Sequence, residues 1–266
     1  MKPLYPVKFV DWGEVVDWSW RLAEKIDNSG YIPDIIVAVG RGGFVVSRLL
    51  CDFLSVENLL SIPIKWVETV RRPGEKYLAE LVRGWIEAVR ENKPVIKSVE
   101  EVVKRLKTSI TFEYHVNISN QKVLLVEEIA ATGMHLFTAK EFISRKWEAK
   151  DIRTAALVWK TASWTVPSFK PDYHLIEPKG FVWFQFPWSR LSDYKQFLLA
   201  MLPELAKSRG LILRIEDIEK EFAVWYGPKN DQTYLRKALE ELSKEGFIKF
   251  LDKQVIQLNI ATLTHP

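Results

Sequence analysis

The run Val123-Leu124-Leu125-Val126 contains no polar residue. A strand with one wet face alternates apolar and polar side chains. An unbroken apolar run therefore belongs to a strand buried on both faces, as in parallel sheets covered by helices. The residues after it narrow the choice. Glu127 and Glu128 stand where such a strand would emerge, and Ala130, Ala131, Thr132 and Gly133 form a turn of small residues. A helical pattern then runs from Leu136 to Ile143. The same order occurs earlier in the chain. Ile35-Ile36-Val37-Ala38-Val39 is apolar throughout, Gly40-Arg41-Gly42-Gly43 follows it, and a helical pattern extends from Phe44 to Leu54.

Each turn has a chemical meaning. Small residues let several backbone N–H groups converge on one phosphate, and the helix that follows adds the positive end of its dipole. Carboxylates beside such a turn accept hydrogen bonds from sugar hydroxyls, so Lys122 to Trp147 reads as a site for a ribose carrying a 5′-phosphate. In the earlier turn the glycines allow close backbone approach to an anion, and Arg41 adds a permanent charge with a planar fork of donors. GRGG alone is more often a tight turn than a site. Its place after a buried strand, in a chain with a second such turn, reverses that balance.

The rest of the chain supports an α/β sheet. Val15, Trp18, Leu22 and Ile26 mark a first helix stopped at Asn28-Ser29-Gly30. Strands are expected at 62–67, 111–116, 154–159, 173–176 and 181–186. A charged loop at 71–76 and helical patterns to about 107 form an insertion over 71–110. Alternating strands and helices predict a mostly parallel sheet flanked by helices. Ligands bind such sheets at the carboxyl ends of the strands, an edge that would hold Arg41, Glu127, Glu128, Lys160 and Trp183. From about residue 191 the character changes. Helices are expected at 194–208, 215–226 and 232–244, then a hairpin from Phe247 to Leu258, which together look like a winged helix. From 195 to 266 there are eleven Lys and Arg against ten Asp and Glu, a net of +1. That balance argues against a nucleic-acid partner and for a structural or dimerisation role.

The chain as a whole carries a net charge of +4, which suits anionic substrates without implying nucleic acid. Cys51 is the only cysteine, so no internal disulfide forms and a reducing compartment is expected. No apolar run has membrane-spanning length, and the first residues lack a signal-peptide core. The expected address is cytoplasmic, with no membrane partner.

Taken together, the two turns resemble the type I phosphoribosyltransferase family. Val126 to Gly133 (VEEIAATG) is similar to its phosphoribosyl-pyrophosphate motif. Gly40-Arg41-Gly42-Gly43 is similar to its pyrophosphate loop, in which the peptide before the arginine is often cis. Phe181 to Trp188 (FVWFQFPW) is similar to the hood of the xanthine–guanine and hypoxanthine branch, where an aromatic ring stacks on the purine. The resemblance covers about residues 10–190. It implies a phosphoribosyltransferase domain over 1–190, with the winged-helix-like domain at 191–266 added to it.

The implied reaction joins a purine to C1 of phosphoribosyl pyrophosphate, with Mg²⁺ held mainly by substrate and water, and releases pyrophosphate. By the same resemblance Glu127 and Glu128 hold the ribose hydroxyls, and Ala130, Ala131, Thr132, Gly133, Met134 and His135 hold the 5′-phosphate. Gly40, Arg41 and Gly42 meet the pyrophosphate, and Lys160, Trp183 and Phe184 meet the base. Arg41 and Glu128 are the candidate catalytic residues, and a homodimer is implied. Departures from the family pattern bear on the substrate. Ala131 stands where 6-oxopurine enzymes carry an Asp near purine N7, and adenine enzymes commonly carry Ala there. His135 replaces a usual Thr, and Ser189 replaces an acidic residue. Lys160 matches the lysine that donates to a 6-oxo group. Against adenine, which presents an amino donor, it must turn to another acceptor. The expectation is an archaeal-type adenine phosphoribosyltransferase making AMP. The alternatives are a 6-oxopurine transferase and a non-catalytic, nucleotide-sensing DNA-binding regulator.

Overall fold

The structure is a computed structural model that describes residues 6–67, 107–110, 116–149, 151–160, 169–179, 182–227 and 231–259. The chain divides into two compact units, Asp11–Phe181 and a smaller one made of Met1–Val10 with Val182–Pro266. Strand β1 (Val7–Phe9) belongs to the smaller unit.

The larger unit opens with α1 (Trp12–Asp27), held at its start by a capping box. Glu14 N donates to Asp11 Oδ1 at 2.9 Å, and Asp11 N donates to Glu14 Oε2 at 3.2 Å. The helix buries Val15, Trp18, Leu22 and Ile26, the face its spacing predicts. The chain continues through β2 (Ile35–Val39), α2 (Gly40–Phe53), β3 (Asn58–Ile62), β4 (Ile64–Val67), β5 (Lys107–Ile110), β6 (Lys122–Ala130), α3 (Met134–Lys146), β7 (Asp151–Trp159) and β8 (Tyr173–Ile176). Five of these strands form one all-parallel sheet in the order β3-β2-β6-β7-β8. Strand β6 lies at its centre, and Val123 to Val126 are fully buried, as an unbroken apolar run requires.

Two local expectations change. The single strand expected at 62–67 is two strands in two sheets, because Pro63 has no N–H to continue the ladder. The acidic pair does not follow β6 but lies within it, since β6 runs on to Ala130 and pairs β7 as far as Ala130↔Trp159. On its other side the pairing with β2 stops at Ala38↔Val126. After one more strand residue, Val39, β2 turns into α2, which packs on β6. The expected elements at 71–106 and 111–115 lie outside the described residues.

In the smaller unit β1 pairs in parallel with β9 (Trp183–Gln185). Then come α4 (Arg190–Arg209), β10 (Ile212–Arg214), α5 (Ile215–Tyr226), α6 (Gln232–Lys244), β11 (Ile248–Phe250) and β12 (Val255–Leu258). The three strands form an antiparallel sheet in the order β10-β12-β11. Helix, strand, two helices and a hairpin is the order of a winged helix. Its core is aromatic. Phe197 stacks on Tyr226 at 4.4 Å between centroids, and Tyr194 and Phe222 tilt together at 4.9 Å. Among the described residues no helix is long and apolar enough to cross a membrane.

Candidate functional site

The site is built in the larger unit, where β2, β6 and β7 end. Strand β2 runs without a loop into α2, whose first residue is Gly40, with φ of +67°. Gly40-Arg41-Gly42-Gly43 is therefore the first turn of the helix, where the sequence reads as a turn preceding one. The unpaired first-turn N–H groups of α2 lie at the carboxyl end of the sheet. Arg41 is exposed there. Among the described residues no peptide is cis, so the cis bond implied before Arg41 is not present.

The two glycines after Arg41 explain how α2 meets β6. A Cβ at residue 43 would overlap the carbonyl oxygen of Val126 and lie 3.2 Å from Glu127 Cα. Only a residue without a side chain brings the helix this close to the strand backbone. A Cβ at residue 42 would overlap the Glu128 carboxylate. The Glu128 carboxylate thus rests on the α carbon of Gly42, and the acidic pair meets the glycine turn at one point.

Glu127 faces the other way. It is 7% exposed, and its Oε1 accepts a hydrogen bond from His135 Nδ1 at 2.8 Å. A carboxylate only accepts, so the Nδ1 proton belongs to the imidazole. Burial pulls the His135 pKa down, but the hydrogen bond and charge of Glu127 and the charge of Glu128 raise it. The net shift is upward.

The turn between β6 and α3 is held from outside the motif. Gly133 caps α3 in the left-handed region, with φ of +74°, a conformation that favours glycine. A side chain there would also run into the carbonyl oxygen of Phe169. Phe169 N donates to Thr132 O at 2.9 Å, and the Phe169 ring lies 5.8 Å from that of Phe137. Thr132 is buried, and its hydroxyl receives a long, weak hydrogen bond from Met134 N at 3.4 Å. Ala130 is fully buried, while Ala131 and Met134 keep part of their surface. Lys160 follows β7 directly, is 8% exposed, and its backbone N donates to Ala130 O at 3.0 Å.

The structure thus gathers Gly40, Arg41, Gly42, Glu127, Glu128, residues 130–135 and Lys160 on the carboxyl edge of one sheet. Trp183 and Phe184 stand on β9 in the smaller unit, where Trp183 meets Phe197 edge-on at 5.6 Å and Phe184 is buried. Sequence reasoning missed Phe169, which carries no signal of its own. It also assigned His135 to a phosphate without its bond to Glu127. The separation of eight residues across a strand–turn–helix was the available clue.

Residues 9–193 match the phosphoribosyl transferase domain family. No curated protein sequence matches the chain. Among solved structures it is similar to a purine phosphoribosyltransferase from Pyrococcus horikoshii Ot3, at 24% identity over 68% of this chain and 92% of that one, with a TM-score of 0.47. It is also similar to a hypothetical protein from Neisseria gonorrhoeae with bound ppGpp, at 18% identity over 71% and 90%, with a TM-score of 0.48. A third is the Helicobacter pylori xanthine-guanine-hypoxanthine phosphoribosyltransferase, at 18% identity over 68% and 92%, with a TM-score of 0.45.

Proposed function

Because this chain belongs to the phosphoribosyl transferase domain family, we propose that it transfers the phosphoribosyl group of Mg²⁺–phosphoribosyl pyrophosphate to a purine, with adenine preferred. The products are AMP and pyrophosphate. One observation carries the reading: the acidic pair of β6 and the glycine turn of α2 meet where Glu128 rests on Gly42. A ligand that joins a ribose to a pyrophosphate needs these two groups side by side.

In this reading N9 of the purine forms a bond to C1 of the ribose, and the bond from C1 to the pyrophosphate oxygen breaks. The electron pair leaves with pyrophosphate, and the base gives its proton to solvent. The ribose becomes cationic in the transition state, so nearby carboxylates and fixed donors for the leaving anion both lower the barrier. Glu127 and Glu128 accept from the ribose hydroxyls. The N–H groups at the start of α3, with Thr132, bind the 5′-phosphate. Arg41 and the first turn of α2 bind the pyrophosphate. Among the described residues no group of three or more His, Cys, Asp or Glu could hold a metal ion. In this reading Mg²⁺ enters as part of the substrate complex, held mainly by substrate and water, and supplies charge neutralisation to the leaving group.

Ala131 supports adenine, since a methyl group cannot accept the N7 proton of a 6-oxopurine. Lys160 supports a second reading. It is a buried donor beside Ala130, suited to a 6-oxo group. Incubating the protein with Mg²⁺, phosphoribosyl pyrophosphate and each purine in turn separates these readings. Faster formation of AMP than of the oxopurine nucleotides supports adenine, and a better rate with guanine or hypoxanthine overturns it. No turnover, together with salt-dependent DNA binding, would favour a regulator. Ala131→Asp is expected to shift the rate ratio at least about tenfold toward 6-oxopurines, the size of one hydrogen bond to a charged group. An unchanged ratio would assign specificity elsewhere.

A further inference from the structure

We propose that His135 is a positioning residue that makes ribose 5-phosphate binding proton-linked. It ties the ribose carboxylate Glu127 to the phosphate turn and takes up a proton as the phosphate arrives. The inference rests on the ribose-phosphate reading above and deepens it.

His135 is the second residue of α3, whose first turn provides the proposed phosphate donors. Its Nδ1 holds Oε1 of Glu127 at 2.8 Å, leaving Oε2 for a sugar hydroxyl. The imidazole therefore spans the two halves of the cradle, carboxylate on one side and phosphate turn on the other. Helix α3 packs against β2, β5, β6 and β7. From β6, Glu127 bonds His135 and the charge of Glu128 also acts on it. Strand β2 has no titratable residue, β5 has Lys107, and β7 has Asp151 and Arg153 at its amino-terminal end. In the free protein the imidazole is pulled both ways. Burial and the positive end of α3 oppose its charge, while the two carboxylates favour it.

A bound 5′-phosphate changes that balance. It brings nearly two negative charges to a turn that already borders two carboxylates. A neutral imidazole leaves that repulsion in place, and an imidazolium offsets it while keeping the bond to Glu127. By linkage, if phosphate favours the protonated imidazole, protonation favours phosphate to the same degree.

Calorimetric titration of ribose 5-phosphate into the full-length protein at pH 8, in buffers of different ionisation enthalpy, tests this. At that pH the free phosphate is already a dianion, its second pKa being about 6. Wild type is expected to take up a fraction of a proton, at most one. Its affinity should fall by up to about tenfold per pH unit through the titration of the bound imidazole. His135→Gln keeps a donor for Glu127 but cannot titrate, and is expected to lose both the uptake and the pH slope. Glu127→Gln, which leaves the imidazole without its carboxylate, is expected to reduce the uptake and serves if His135→Gln fails to fold. Wild-type binding with no buffer dependence, or uptake retained in His135→Gln, overturns this inference alone. If neither ribose 5-phosphate nor Mg²⁺–phosphoribosyl pyrophosphate binds, the ribose-phosphate reading falls and this inference with it.

Discussion

Gly42 and Gly43 are adjacent in the chain, yet a methyl group on each would meet a different kind of obstacle. At 42 it meets the end of a flexible carboxylate, and at 43 it meets strand backbone. Gly42→Ala should therefore displace Glu128 while leaving the fold intact. We expect a loss of kcat/KM on the order of 100-fold, the effect of misplacing a group by about 1 Å, with the melting temperature nearly unchanged. Gly43→Ala should cost about 1–3 kcal/mol of stability, read by denaturant unfolding, because α2 must move off β6. His135 makes a third prediction. Its folded pKa is raised above the unfolded value near 6.5. The stability it adds is therefore fully present below about pH 6.5 and is lost as pH rises through the folded value. Melting temperatures of wild type and His135→Gln, measured from pH 6 to 9, should converge toward the alkaline end. At this scale the residue types of the cradle were legible in the sequence, because glycine, arginine and paired carboxylates each have few uses after a buried strand. Their pairing was not legible. Nothing in the chain order says that Glu128 turns to Gly42 while Glu127 turns to His135.

Elements were legible where one periodicity acted alone. The apolar runs at 35–39 and 123–126 became the two adjacent central strands β2 and β6. The face of α1 was read correctly for the same reason, but the capping box of Asp11 and Glu14 at its start was not read. Asp11→Ala should cost about 1 kcal/mol in chemical denaturation without changing the purine rate ratio, since it removes one cap and touches no site residue. Elements failed where packing overrode local preference. Three glycines argue against a helix, yet α2 begins at Gly40, whose φ of +67° favours glycine, and Gly43 lets its first turn lie on β6. Strand β10 has three residues, too few for any alternation to show, and is ordered by pairing with β12.

At the scale of the whole molecule, the smaller unit joins the first ten residues to the last 85, from Val182 onward. Three residues of β1 are too short to announce a partner more than 170 positions away, so this assembly was invisible in the sequence. The winged-helix order was visible, and its charge distribution bears on its use. On α6, Lys237 pairs with Glu240 at 3.3 Å and Glu241 at 3.4 Å, and Lys244 pairs with Glu241 at 2.9 Å. These exposed pairs add little stability, but they occupy two of the three cations on α6, which a phosphate backbone would otherwise use. We expect no retardation of mixed-sequence duplex DNA by micromolar protein at 0.15 M salt. A retarded band that weakens steeply with added salt would reverse that assignment. The larger unit has a consequence of another kind. The turn at Thr132 and Gly133 is closed by Phe169, which the ribosome adds 36 residues later. A nascent chain that has exposed β6 and α3 but not Phe169 has an open cradle. Substrate cannot chaperone the early stages of synthesis, and ligand-dependent protection from protease in stalled chains should appear only after residue 169 has left the exit tunnel.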